Sequence, residues 1–458
     1  MDAASPGPTQ TPGPATGPRS GARRPLYLRP HMLVLMGLGY SGGVPLEMSF
    51  NLMPTWAAKA GWSVVDIGWL SLAKLPYSFK VLWAPLADHL GIPGLRRLGR
   101  RRAWLLVTQL ACLLALGVLA LNMDDRGSAL PVQAMIALTG LLVVAGATQD
   151  IVGDAYRAEV LEPREFGAGA SMFVTGARIA SVIGGAAALI IASRLAESEA
   201  SRPWAWATAI GVLALSTVAG MVAALLGREP EPAPDMAHGL TASVLQPFQI
   251  FAGQWRWRLP VLFLFVILYR LPDNLGGAMN SPLLVQGLGY STESIGWIRQ
   301  GFGAGMSVLG AMVGGWLISR WGILRCLWVF GVLQALSNGA FLTLAHAHGA
   351  TVQAKAAFAA PIASLIPAIA VENFCGGMVA CAFVAYMMST CDRRATATQY
   401  ALLTSFMAIG NSLSGWASGW MVANLDYKPF YALSIAAALP GMALLPLLRH
   451  TPGSEASR

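Results

Sequence analysis

From Met32 to Leu448 the chain alternates long apolar runs with short polar ones. Twelve of these runs approach or exceed the ~20 residues that a helix needs to cross a hydrocarbon core. They cover 32–53, 66–87, 103–122, 132–153, 168–192, 204–226, 259–282, 295–318, 325–346, 362–390, 399–423 and 429–448. Backbone groups in lipid must be satisfied internally, so each run is predicted as a helix. The pattern therefore predicts an all-α membrane protein with twelve transmembrane helices. Residues 1–30 are rich in Pro, Gly, Ala and Ser and read as a disordered tail. No small-residue cleavage site follows the first span, which is expected to be a retained helix. Residues 31–227 and 259–448 form two six-helix halves, joined by a linker at 228–258 that carries the amphipathic run Leu245–Trp257. A short tail, 449–458, closes the chain. The halves echo each other: APLADHLG ends at Gly91, and GGWLISRWG ends at Gly322. Two such halves, related by an axis along the membrane normal, describe a large transporter architecture.

Composition sharpens this picture. The chain is 55% hydrophobic and 12% charged, against about 25% charged in a soluble domain. A net charge of +9 could suggest nucleic acid, but the distribution argues against it. The N-terminal tail, even-numbered loops and C-terminus hold about 20 of the Lys and Arg, the odd-numbered loops about 6. That asymmetry predicts both termini and the linker in the cytoplasm. Five cysteines, an odd number without a CxxC pair, give no disulfide framework or zinc site. The six histidines fall in loops or near span ends, so no metal or cofactor is expected. No Walker motif supports ATP-driven transport. Tryptophans such as Trp56, Trp62, Trp104, Trp204, Trp206 and Trp328 lie at span ends, where an interfacial belt is expected. Glycines at Gly37–Gly43 and Gly301–Gly305 suit close helix approach.

Charged residues inside the spans carry the chemistry. A lone charge in hydrocarbon costs roughly 2.5–3.5 kcal/mol on insertion scales, so such groups pair or face a polar cavity. Lys74, Lys80, Arg178 and Arg270 are the expected cavity cations. Arg270 and Asp273 flank Pro272, which removes a backbone hydrogen bond, and such breaks are common around binding sites. Either Arg270 grips an anionic group while Asp273 restrains it, or the two form a local ion pair. Lys80 either touches substrate or snorkels to the interface. Glu372, with Asn373 beside it, and Glu47 complete the expected binding residues. Asp150 and Asp154 are four apart and share one face of the fourth span. An uncompensated pair there suits proton loading, whereas a static ion pair with Arg157 or Arg178 would only assemble the bundle. Asp88, at a helix end, is followed by Arg100 and Arg101; charge pairing there can latch the halves, and Arg157, near the cytoplasmic end of the fourth span, is expected in the same gating set.

Several stretches point to a family. Leu86-Ala-Asp88-His-Leu-Gly91 with Leu98-Gly-Arg100-Arg101-Arg102 resembles the helix 2–3 motif of the major facilitator superfamily. Leu75-Pro-Tyr-Ser-Phe-Lys80-Val-Leu-Trp-Ala-Pro-Leu, Ala147-Thr-Gln-Asp150-Ile-Val-Gly-Asp154-Ala-Tyr-Arg157, Glu372-Asn-Phe-Cys-Gly-Gly377 and Arg393-Arg-Ala-Thr-Ala-Thr-Gln399-Tyr-Ala-Leu-Leu403 follow in order. Together they resemble the AmpG-type muropeptide permeases, a branch shared with acetyl-CoA and siderophore transporters. The resemblance implies an inner-membrane permease, not an enzyme. It would carry anhydromuropeptides from periplasm to cytoplasm with protons, as a monomer. Departures fall where ligand would bind: Glu47 replaces a small uncharged residue, Lys74 adds a second lysine, and Tyr269-Arg-Leu-Pro-Asp273 stands where the family more often has Lys-Leu-Gly-Asp. A siderophore or acyl-CoA cargo is the alternative within the branch. A polytopic membrane enzyme is the alternative outside it, and the scattered loop histidines oppose that.

Overall fold

The computed structural model describes residues 25–62, 66, 70, 75–124, 127–231, 240–290, 296–351 and 361–448. Almost everything described is helical. The first helix, α1, starts with Pro30 at its first turn, where a missing N–H is harmless. It runs Pro30–Glu47, passes a π-turn at Met48–Leu52 just after Pro45, and resumes over Met53–Lys59. In α2 the described residues form short helices, Leu75–Phe79 and Ala84–His89, around a tight turn at Lys80–Leu82. Then come α3 (Arg100–Asn122), α4 (Val132–Val160), α5 (Pro163–Ala196, with a π-turn at Val182–Ala187) and α6 (Ala205–Ser216 and Val218–Leu226). The amphipathic linker forms a helix, Leu240–Trp255. The second half holds α7 (Leu259–Leu268 and Leu271–Pro282), α8 (Gly296–Gly303 and Ala304–Trp321), α9 (Ile323–Ala347) and α10 (Ile362–Thr390). It ends with α11 (Thr396–Leu425) and α12 (Tyr427–Ala436 and Ala438–Ala443).

Among the described residues, nine helical stretches are long and apolar enough to cross a membrane. The first, second and eleventh predicted spans correspond to α1, to the pieces of α2, and to α11. The last is helical throughout but rich in Ser, Thr and Gly. Helix α4 extends to Val160, seven residues beyond its predicted end, which brings Asp154, Arg157 and Glu159 onto one rigid rod.

Two features of the packing position the site. First, glycines bring backbones together, as their spacing suggested. A Cβ on Gly39 would lie 2.1 Å from the Phe173 carbonyl oxygen, and one on Gly176 2.0 Å from that of Met36, so α1 and α5 touch backbone to backbone. Gly310 and Gly377 do the same for α8 and α10. Second, the apolar core is divided unequally. At the face carrying the arginine-rich loops, one cluster joins both halves, with Ile151, Tyr156 and Phe166 packed with Phe265, Phe383 and Tyr400. Toward the other face the core splits: one cluster holds Met48, Leu116 and Ile210 of the first half, another Leu283, Phe341 and Phe430 of the second. The halves are thus closed at the arginine-rich face. Trp56 and Trp206 belong to the first-half cluster, at 0% and 2% exposure. The belt expected from their positions does not include them; they are packed inside, and Trp56 donates to the Asp124 carbonyl at 2.9 Å.

Candidate functional site

The charged residues form three groups, and the expected cavity cations Lys80, Arg178 and Arg270 are divided between two of them. The latch group lies at the arginine-rich face. Asp88 ends α2, and its carboxylate accepts from the Ala397 N–H (3.1 Å), the Thr398 N–H (2.8 Å) and the Thr398 hydroxyl (2.7 Å). These are orphan donors of the first turn of α11, so Asp88 caps a helix of the other half. Arg101 holds that carboxylate from behind at 2.8 Å and also binds Glu159 and the Ala87 carbonyl. Arg100 reaches only the Asp88 backbone carbonyl. The ion-pair role expected of Arg100 and Arg101 alike therefore belongs to Arg101. Glu229 accepts from the N–H groups of Arg101 and Arg102 and caps α3. Glu159 and Glu229 escaped the sequence reading because they lie at span ends, where a carboxylate needs no partner to be tolerated.

One turn or two deeper lies the carboxylate group. Lys80 is buried at 2% exposure, bonded to Asp150 and 3.8 Å from Asp154. Asp154 also accepts from Arg157 at 2.7 Å. Arg157 donates to the Tyr400 hydroxyl at 2.7 Å and lies over the rings of Phe173 and Tyr400. Of the two arrangements the sequence left open for this pair, the structure has the compensated one: each acid has a cation. Lys80 neither snorkels nor joins Arg178; its short turn at Lys80–Leu82 aims it at α4. Of the two arginines offered as its partner, Arg157 and not Arg178 pairs with Asp154, because three residues along a helix bring side chains together.

The central group lies at mid-depth between the halves. Arg270 occupies the break in α7 that Pro272 imposes and pairs with Asp273, which also accepts from Gln334 at 3.2 Å. Arg178, on α5, lies within electrostatic reach of Arg270, Asp273, Glu47 and Glu372. It is solvent-accessible although charged groups of both halves surround it, and it forms no hydrogen bond or ion pair among the described residues. Glu372 accepts from Asn280 at 2.5 Å, and Asn280 in turn accepts from the Tyr431 hydroxyl at 2.8 Å. The second oxygen of Glu372 is buried without a hydrogen bond. Glu47 accepts from Asn51 at 2.6 Å. Arg299, on α8, acts on Glu372 and donates to Ser281 at 2.7 Å. Asn373, expected beside Glu372, turns instead to its own Ile369 carbonyl at 3.0 Å and packs on Gly303. Adjacent helix positions point about 100° apart, which separates the two. Lys74 lies outside the described residues. Among those described, three arginines face three acids, so the expected excess of cations is not found. Sequence reading missed Gln334, Asn280 and Tyr431, which carry no charge, and Arg299, which the rule of charges within spans reaches.

Two helical halves closed on one face, with charged side chains gathered at mid-depth between them, define a multi-pass membrane transporter. The comparisons agree with this class. The family model for the Major Facilitator Superfamily matches residues 32–414. The chain is 32% identical over 430 residues to the anhydromuropeptide permease of Escherichia coli K12, covering 93% of this chain and 81% of that one. It is 30% identical to putative transporter AmpG 4 of Rickettsia conorii, covering 89% and 94%. Among solved structures it resembles a proton:xylose symporter, with a TM-score of 0.64 at 11% identity over 93% of this chain and 97% of that one. A bacterial homologue of the iron transporter ferroportin gives 0.61 at 15% identity over 92% and 99%. The chain belongs to the Major Facilitator Superfamily and, within it, to the AmpG-like permeases.

Proposed function

We propose that this protein is a secondary active transporter that imports anhydromuropeptides from periplasm to cytoplasm across a bacterial inner membrane, together with protons. The likeness to a named anhydromuropeptide permease along 93% of the chain supports the cargo. The observation that carries the site assignment is Arg178, an accessible cation without an ion-pair partner among the described residues, set between the halves. A peptide carboxylate supplies such a cation with charge-assisted hydrogen bonds. Arg270 was the sequence's first choice for that contact, but it already holds Asp273. Arg178 therefore contacts the anion, and the Arg270–Asp273 pair shapes the wall beside it. Glu47 and Glu372 stand opposite as acceptors for the cargo's amide and hydroxyl groups.

With both termini and the linker in the cytoplasm, the closed face is cytoplasmic and the site opens outward. Inward opening requires Asp88 to leave α11 and Arg157 to leave Tyr400. A proton on Asp154 removes the charge that holds Arg157, so loading the carboxylate group from outside weakens the closed face. Release of that proton inside completes the cycle. Uptake into proteoliposomes under an imposed pH gradient tests this reading, comparing anhydromuropeptide, siderophore and acyl-CoA. Gradient-dependent accumulation of anhydromuropeptide alone is expected. Accumulation of either other cargo in its place refutes the substrate, and muropeptide uptake indifferent to the gradient refutes the coupling.

A further inference from the structure

The two halves treat their equivalent loops differently. In the first half Asp88 stands three residues before Gly91 and Arg101 two residues after Gly99; together they bind the start of α11. In the second half Ser319 stands three residues before Gly322 and Leu324 two residues after it. The matching loop thus has neither the acid nor its arginine. The start of α5 is capped locally instead, by Glu162 and Glu165. What remains between the halves there is a cleft of about 820 Å³. Arg164, Arg325 and Arg393 line it from three separate elements, with Ser319, Trp321 and Tyr386 among the other walls. No carboxylate lines it among the described residues. Arg164 pairs with exposed Glu162 at 2.6 Å, whereas Arg325 and Arg393 form no ion pair among the described residues. The cleft lies where α5 meets α8 and α10. On α8, Trp316 and Trp321 are exposed at 45% each, and Arg320 stacks on Trp316 at 4.3 Å. Such a tryptophan pair marks the level of lipid headgroups.

We infer that this cleft binds the headgroup of an anionic phospholipid, its phosphate held by Arg325 and Arg393 and its acyl chains lying along the α5–α8 seam beside Trp321. Basic pockets between transmembrane helices suit anionic headgroups, and the tryptophan-lined, part-apolar wall favours a lipid over a free phosphate. Because the cleft draws its walls from both halves, an occupant stabilises the state closed at this face, in the place where the second half has no carboxylate latch. The site stands apart from the central charges and does not depend on the cargo proposed above.

Native mass spectrometry of the purified full-length protein in detergent tests the inference, titrated with phosphatidylglycerol, with phosphatidylcholine, and with inorganic phosphate as competitor. Retention of phosphatidylglycerol over phosphatidylcholine is expected in the wild type. In Arg325→Gln/Arg393→Gln that retention should fall by about fivefold per arginine. Ser319→Asp places a carboxylate in the cleft at an exposed position, so it tests charge without disturbing packing, and it should lower retention comparably. Its result decides the matter if the double variant does not fold. Undiminished retention in Ser319→Asp, equal retention of phosphatidylcholine, or displacement of the lipid by millimolar inorganic phosphate would each overturn the assignment.

Discussion

At the residue scale the key comparison is Arg178 with Arg270. Both sit in the central group, but only Arg270 is paired. Arg178→Ala should abolish muropeptide binding, and Arg178→Lys should weaken it by about tenfold, roughly 1.4 kcal/mol, since a lysine cannot grip a carboxylate with two parallel bonds. Arg270→Ala leaves Asp273 without its cation, so part of its effect should be relieved in Arg270→Ala/Asp273→Asn. Equilibrium binding of labelled anhydromuropeptide and of its amidated analogue checks both. Equal affinity for the two analogues in the wild type would remove the carboxylate contact. Asp154 poses a different question, because it sits between Lys80 and Arg157. Asp154→Asn should cripple accumulation against a gradient while sparing counterflow, which needs no proton release. Equal loss of both would make Asp154 a structural ion-pair partner.

Elements carry the closed state. The first turn of α11 depends on Asp88 for two backbone donors and a hydroxyl. Helix caps contribute about 1 kcal/mol, and here the cap also ties one half to the other. Asp88→Ala should therefore shift the protein away from closure at this face, seen as faster thiol labelling of buried Cys381, with little change in total helix content by circular dichroism. Labelling no faster than in the wild type would place the latch elsewhere. The α1–α5 contact rests on glycine rather than on charge. A methyl group at Gly176 would meet the Met36 carbonyl at 2.0 Å, and backbone cannot give way as a flexible side chain does. Gly176→Ala should lower the melting temperature in detergent, whereas Gly211→Ala, with open space around it, should not.

For the whole molecule, the unequal division of the core is the central fact. One apolar cluster joins the halves at the arginine-rich face, and two separate ones fill the halves beyond it. Rocking one half against the other then breaks contacts that include the Asp88 cap, the Arg157–Tyr400 bond, the Tyr27–Met312 and Cys381–Gly167 hydrogen bonds and the close approach of Gly167 to Gly315. The roughly 20-to-6 division of Lys and Arg predicts that this face lies in the cytoplasm. A cysteine introduced at exposed Glu231, in the linker, should resist an impermeant maleimide added to intact cells and react after permeabilisation. Efficient labelling from outside would invert the topology and, with it, the proposed direction of opening.

Sequence alone determined the architecture. Apolar length and the alternation of basic loops act over whole segments, and the lipid environment leaves a long apolar run no stable form but a helix. It also identified charged positions worth attention, because a charge in hydrocarbon is costly wherever it sits. Partners were another matter. Asp154 and Arg157 were legible as neighbours because both lie on α4. By contrast, the bond from Arg157 to Tyr400 spans 243 positions of sequence and that from Asp88 to Thr398 spans 310. Uncharged Gln334 and Asn280 left no mark against an apolar background, and Asn373 looked like a site residue until its helix face was known. Which cation meets which acid depends on how twelve predicted helices turn and tilt against one another. That geometry is fixed by glycine contacts and side-chain packing between elements distant in sequence, so only the tertiary structure could separate the latch, the carboxylate group and the central site.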